Sequence, residues 1–239
     1  MLSEHIDSIF LNNGYCKVPN NQNLDGYILS LFEPKEAPHR EEYFVVIEAI
    51  TQSAQATEYL LNEGADLLFN KFCSMENLKK SFAKNCTMII CCEAANTTRE
   101  LTLQLEEDHY NFKKNVIIYT KGEITGLEQF CGSDHSFQKL SNELINNIIN
   151  SDSGNEFRAF KEQTKNRNNH YSLLIKIIMK LPFISYQPKA KSLIDLEISI
   201  EKALTLEQRT IYNKLLLLDL NASEEKTEQL IFEAWNNIS

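Results

Sequence analysis

The chain has 239 residues, 43% of them hydrophobic and 24% charged, with a formal net charge of −9. This suits a soluble globular protein of one large domain or two small ones. With 7 Gly and 5 Pro, long flexible linkers are not expected; no apolar run reaches the ~20 residues of a membrane helix, and the acidic N-terminus does not read as a signal peptide, so a cytoplasmic protein without a membrane partner is expected.

Taken in chain order, Ser3 reads as an N-cap with Glu4 and Asp7 in the first turn, and Ile6, Ile9 and Phe10 share one helical face. Asn12, Asn13 and Gly14 stop that helix. Tyr15–Val18 is a short strand candidate. Tyr27–Phe32 and Tyr43–Ile47 read as strands in an antiparallel hairpin. Two helices are predicted next, Ser53–Glu63 ended by Gly64, then Asp66–Lys80. Thr87–Cys92 is a buried strand, and Thr97 with Glu100 forms a capping box for the following helix. Val116–Tyr119 reads as a central strand, because it is short, apolar and β-branched. Gly122 and Gly126 bracket a turn region. Phe137–Ile149 is an amphipathic helix, and Ser151–Gly154 is the best domain boundary. Beyond it the chain reads as helices: Asn169–Leu181 closed by Pro182, then Lys191–Leu204, then two more opened by capping boxes at Thr205 and Asn221. The expected fold class is α+β: an α/β domain with a small mixed sheet over residues 1–150, and a helical region over 151–239.

The chemistry of enzymes is mostly missing. A phosphate-binding P-loop or a dinucleotide-binding GxGxxG is absent, so no cofactor is expected. A metal-dependent nuclease needs carboxylates gathered at a strand with a lysine close behind. Asp25, Glu48 and Glu93 lie near strands, yet no E-x-K follows them; strand-end carboxylates in water are the plainer reading. Cys131 and His135 have no second pair nearby for zinc. None of the six cysteines forms a CxxC pair, and reduced, buried thiols are expected at Cys86, Cys91 and Cys92. A distant Cys–His pair stays open, with nothing to single one out.

Charge is unevenly spread. From Phe157 to Lys191 there are eight basic residues, Arg158, Lys161, Lys165, Arg167, Lys176, Lys180, Lys189 and Lys191, against Glu162 alone, which makes +7 and leaves −16 for the remainder. Such a stretch can meet nucleic acid, an acidic partner, or the acidic half of its own chain. Phe157, Phe160, Tyr171 and Tyr186 are interleaved with the cations; stacking on bases is one reading, and core packing is favoured for Phe160 and Tyr171. Leu193, Leu196, Ile200 and Leu204 form an apolar stripe. Leu215, Leu216, Leu217 and Leu218 must point all around a helix, so part of these two sets needs cover by a protein interface.

The stretch Leu105–Lys121, LEEDHYNFKKNVIIYTK, stands apart. An acidic helix end, Glu106, Glu107 and Asp108, meets an aromatic turn with His109, Tyr110 and Phe112, then Lys113, Lys114 and the strand. From the residues alone it is either a solvated, salt-bridged helix end or a docking turn. It resembles the signature region of the middle component of ABC three-component (ABC-3C) anti-phage systems, of which the Lamassu type is the best known. The resemblance implies a non-catalytic accessory subunit that links an SMC/Rad50-like ABC ATPase to an effector nuclease, with DNA sensed through the complex. It implies a docking role for the turn and no catalytic residue. A diverged metal-dependent nuclease or phosphodiesterase, and a stand-alone DNA-binding protein, are the alternatives.

Overall fold

The computed structural model describes residues 1–35, 41–131, 140–162, 169–187, 202–216, 228 and 231–232. These divide into two units, Met1–Pro188 and Lys189–Ser239. The first is built on a five-stranded mixed sheet in the order β1 (Tyr15–Lys17), β2 (Tyr27–Pro34), β3 (Tyr43–Ala49), β4 (Cys86–Glu93), β5 (Lys113–Tyr119). The first three pair antiparallel; β3, β4 and β5 run parallel. The fold class is α+β, as expected. However, the Val116–Tyr119 strand is the sheet's edge, not its centre. Its apolar character comes from helices on both faces, since a parallel strand reached by a crossover helix is covered on each side.

Every residue of β3 is buried, and its side chains alternate between two cores. Phe44 and Val46 point to one, with Ile89 and Cys91 of β4 beside them; Tyr43, Val45 and Ile47 point to the other, with Met88, Ile90 and Cys92. This period of two is the pleat itself. The second core is covered by α2 (Ala54–Tyr59), α3 (Ala65–Cys73), α4 (Phe82–Asn85) and α5 (Arg99–Glu107) through Leu60, Leu68, Phe72, Phe82 and Leu105. Gly64 does not end a helix there. A π-turn, Leu60–Gly64, carries α2 straight into α3, which stops at Cys73, short of the predicted Lys80. Thr98, rather than Thr97, caps α5, accepting from Leu101 N–H at 3.2 Å.

The first core lies under α1 (Leu2–Asn12), α6 (Lys121–Cys131), α7 (Asn142–Ile149) and α9 (His170–Lys180); α8 (Asn155–Glu162) leaves Phe160 packed against it. Phe10 is its hub, stacked on Phe32 at 4.6 Å and within 5.2 Å of Tyr15, Phe44 and Phe183. The region around Gly122 and Gly126 is helix α6, not a turn. Thr120 and Glu123 form a capping box, with Thr120 N–H donating to Glu123 at 2.8 Å and Glu123 N–H to the Thr120 hydroxyl at 3.2 Å. Gly126 lets α9 approach: a Cβ there would stand 3.3 Å from the His170 nitrogen. Because α9 supplies Leu173, Leu174 and Ile177 to the core of α1, the first unit continues past residue 150.

Helix α1 begins at Leu2, capped at Met1 rather than Ser3. Its first amides meet the buried carboxylate of Glu48 on β3, which accepts from Ser3 N–H at 2.7 Å, Ser3 Oγ at 2.6 Å and Tyr119 Oη at 2.5 Å. Gly14, at φ +88°, turns the chain into β1 where a side chain would be strained.

In the second unit, α10 (Leu206–Leu216) opens with the expected box: Thr205 N–H donates to Gln208 Oε1 at 2.9 Å, and Gln208 N–H to Thr205 Oγ1 at 3.2 Å.

Candidate functional site

The signature stretch folds as the end of α5, a tight turn and the start of β5. Within the turn Asn111 takes φ +64°. Phe112 is fully buried against Phe69 and Phe82, at 5.2 and 6.4 Å. That plants the turn in the second core. Lys114 follows with a side chain that is 0% exposed. Its ammonium donates to Asp108 Oδ2 at 2.6 Å and to the Tyr110 carbonyl at 2.8 Å. Burial alone would raise the Asp108 pKa; the hydrogen bonds from Lys114 and from Tyr110 N–H outweigh it and hold the carboxyl below its usual value. Tyr110, by contrast, is 80% exposed, and Glu107 and Lys113 face solvent. The turn is therefore an internally paired support that presents the rings of Tyr110 and His109 to solvent.

Glu106 has a different task. Its Oε1 accepts from Val116 N–H at 2.8 Å, on the open side of β5, and pairs with Lys180 of α9. This pair stands between two surface depressions. One is a polar cleft of about 1380 Å³ at the start of β3, β4 and β5, reached by Lys84, His109, Lys113 and Asn115. The other is an apolar groove of about 300 Å³ along the free edge of β5, between α5 and α9.

The basic stretch is placed only in part. Lys176 pairs at 2.7 Å with Glu123, whose side chain is fully buried, and Lys180 pairs with Glu106, so these two bind the acidic half of their own chain. Arg158 and Lys161 lie exposed on α8. Lys165, Arg167, Lys189 and Lys191 lie outside the described residues. Tyr171 is buried and Phe160 packs beside it at 6.5 Å, as core residues do; Phe157 and Tyr186 are exposed. Of the predicted apolar interface, Leu204 is half-buried, Leu215 and Leu216 sit in the last turn of α10, and Leu193, Leu196, Ile200, Leu217 and Leu218 are outside the described residues.

The three strand-end carboxylates are not gathered. Asp25 is exposed, Glu48 is spent on the start of α1, and Glu93 accepts from Asn96 at 3.0 Å. Among the described residues no group of three His, Cys, Asp or Glu is arranged to hold a metal ion. Burial pushes the Cys86 and Cys91 thiols well above their ordinary pKa and Cys92 up to about 11, which makes them poor nucleophiles. No described helix is long and apolar enough to cross a membrane. The Glu106–Val116 contact was missed by sequence reasoning. No local signal marks it, because it depends on β5 lying at the edge of the sheet, a position set by strand pairings far apart in the chain.

Residues 42–144 match the family model of the ABC-three component (ABC-3C) system Middle Component 1. The matched span covers less than half of the chain but contains all three parallel strands, α5 and the signature turn. This supports the resemblance read from Leu105–Lys121, at the level of a middle component that works with the other parts of such a system. No curated protein and no solved structure matches the chain.

Proposed function

We propose that the chain is the middle component of an ABC three-component defence system. It acts as a non-catalytic adaptor in the cytoplasm, joining an SMC-like ABC ATPase to an effector nuclease in an anti-phage, Lamassu-type complex. The observation that carries this reading is the family match over residues 42–144, centred on the parallel strands and the turn. The spent carboxylates and high-pKa thiols support an adaptor over an enzyme. In this reading the turn at Glu106–Lys114 offers Tyr110, Glu107 and Lys113 for docking. Arg158, Lys161 and the rest of the basic stretch meet DNA or an acidic partner, and the leucines of 193–218 are covered by protein.

The test is co-expression of the chain with the products of its neighbouring genes, followed by purification on a tag carried by this chain. A stoichiometric complex with an ATPase is expected. The purified chain, given ATP or DNA with Mg²⁺ or Mn²⁺, is expected to show no turnover. Nuclease activity in the isolated chain that disappears in Glu93→Ala would overturn the adaptor reading.

A further inference from the structure

Helix α7 carries asparagines at three positions four apart, Asn142, Asn146 and Asn150, the last being its C-cap. That spacing lines them along one face. Asn146 is mid-helix and only 8% exposed, where an apolar residue is the default, and a buried amide is tolerated when its hydrogen bonds are made. Here they are made to the backbone of a distant segment. Asn146 Nδ2 donates to the Ser185 carbonyl at 2.8 Å, and Asn146 Oδ1 accepts from Gln187 N–H at 2.7 Å. Asn150 Nδ2 donates to the Gln187 carbonyl at 2.8 Å. These three backbone groups face one side together, as they do in an extended chain, where the pattern repeats every two residues. Two side-chain bonds join them, Asn142 Nδ2 to Ser185 Oγ and Tyr186 Oη to Asn150 Oδ1, each at 3.1 Å.

The segment after α9 is thus held in two ways. Leu181 and Ile184 are buried, and Phe183 packs on Phe10 at 4.8 Å and on Tyr15 at 4.6 Å. Ser185, Tyr186 and Gln187 are exposed, and hydrogen bonds hold them. An apolar anchor fails only with the core around it. Hydrogen bonds at a surface exchange with water at little net cost, so this part of the segment can open by itself. The three bonds to backbone groups do not depend on which side chains the segment carries. The asparagines therefore fix the path of the chain rather than recognise a sequence. Directly after this path come Lys189, Lys191 and Leu193.

We propose that residues 185–187 are a releasable strap and that the asparagine face of α7 is its clip. Closed, the clip ties the chain down as far as Gln187. Open, it leaves the core up to Ile184 packed and adds three residues, about 10 Å, to the connection that leads to Lys189. A partner subunit binds the open form, because the basic and leucine residues assigned to it follow the strap directly. Closure then weakens that binding in proportion to the fraction of chains that are open. This deepens the adaptor reading and rests on it for the partner, though not for the strap.

Two measurements test the proposal. In the first, hydrogen exchange of the isolated chain is followed by NMR. Gln187 N–H is expected to exchange at least about tenfold more slowly than in an unstructured peptide, and at least about a hundredfold faster than Leu174 N–H in α9. Asn146→Leu removes the donor and the acceptor while keeping the volume; it should bring Gln187 to the unstructured rate and leave Leu174 within about threefold of native. Ser185→Ala with Tyr186→Phe removes the two side-chain bonds and should keep Gln187 within about tenfold of native. In the second, affinity is measured for the ATPase that co-purifies with the chain. Asn146→Leu should bind it tighter by about the protection lost at Gln187, hence at least about tenfold. So should Gln187→Pro, which takes the donor from the strap without touching α7. Gln187 exchanging in step with Leu174, or at the unstructured rate in the native chain, overturns the proposal. An affinity unchanged in both variants overturns it too and leaves the adaptor reading intact. A strap that opens as expected, in a chain that binds no ATPase in any form, upholds the strap and sinks the adaptor reading.

Discussion

Lys114 shows how much one buried charge can ask of its neighbours. A lysine side chain with no exposure is tolerated only when its protons are all directed at acceptors, and here Asp108 and two carbonyls supply them. Removing one partner of such a pair leaves the other charged and dry. Asp108→Ala is therefore expected to destabilise the first unit by about 3 kcal/mol in urea unfolding. The pH dependence has a definite sign. The Asp108 pKa is lower folded than unfolded, so its contribution is complete above the unfolded value of about 4 and fades as pH falls through the folded one. Stability curves of the native chain and Asp108→Asn should thus differ at neutral pH and converge in acid. A constant gap down to about pH 2 would show that the pair contributes nothing electrostatic. In the sequence this pair was visible only as acids and bases about one turn apart; that the lysine was the buried member was not.

At the scale of elements, the strands were legible and the glycines misled. Runs such as Phe44–Ile47 and Met88–Cys92 have few conformational alternatives, because β-branched and apolar residues in short runs fit a doubly covered strand. Gly64 and Gly126 look like stops, yet both lie inside helices. Glycine marks a stop when its φ is positive, as at Gly14, and marks close packing when its missing side chain is what a neighbour needs. Gly126 is the second kind. Gly126→Ala should gain about 1 kcal/mol in helix propensity, and lose more, because the new methyl meets the backbone of α9 rather than a yielding side chain. A net drop in melting temperature is expected, larger for Gly126→Val; a rise for the alanine variant would mean that α6 and α9 separate easily.

At the scale of the whole molecule, the +7 stretch turns out to be several things. Lys176 is tied to a fully buried glutamate, whereas Arg158 and Lys161 stand on an exposed helix face. Reversal of the charges should separate these roles. Lys176→Glu places two carboxylates together and is expected to cost more than about 3 kcal/mol. Arg158→Glu with Lys161→Glu should cost less than about 1 kcal/mol, as exposed pairs do, and should flatten the salt dependence of DNA binding by the assembled complex if these residues touch phosphates. The fold class and the ABC three-component resemblance could be read from short-range patterns. The edge position of β5 and the uses of Lys176 and Glu48 could not, since each depends on residues far apart in the chain meeting across the sheet.

The carboxylate that completes α1 has a consequence in time. The helix has eleven residues, too few to persist alone in water, and its first amides are satisfied by a residue 45 positions later. During synthesis at ~5–20 residues per second, Ser3 waits at least about two seconds before Glu48 exists, and longer before β3 is paired. The N-terminal segment should thus be a late arrival that seals an already formed sheet. Mutations in α1, such as Ile9→Val, are then expected to speed unfolding and leave the refolding rate nearly unchanged in stopped-flow experiments. A chain that slows in refolding instead would put α1 in the nucleus, and would make the sheet wait for the helix.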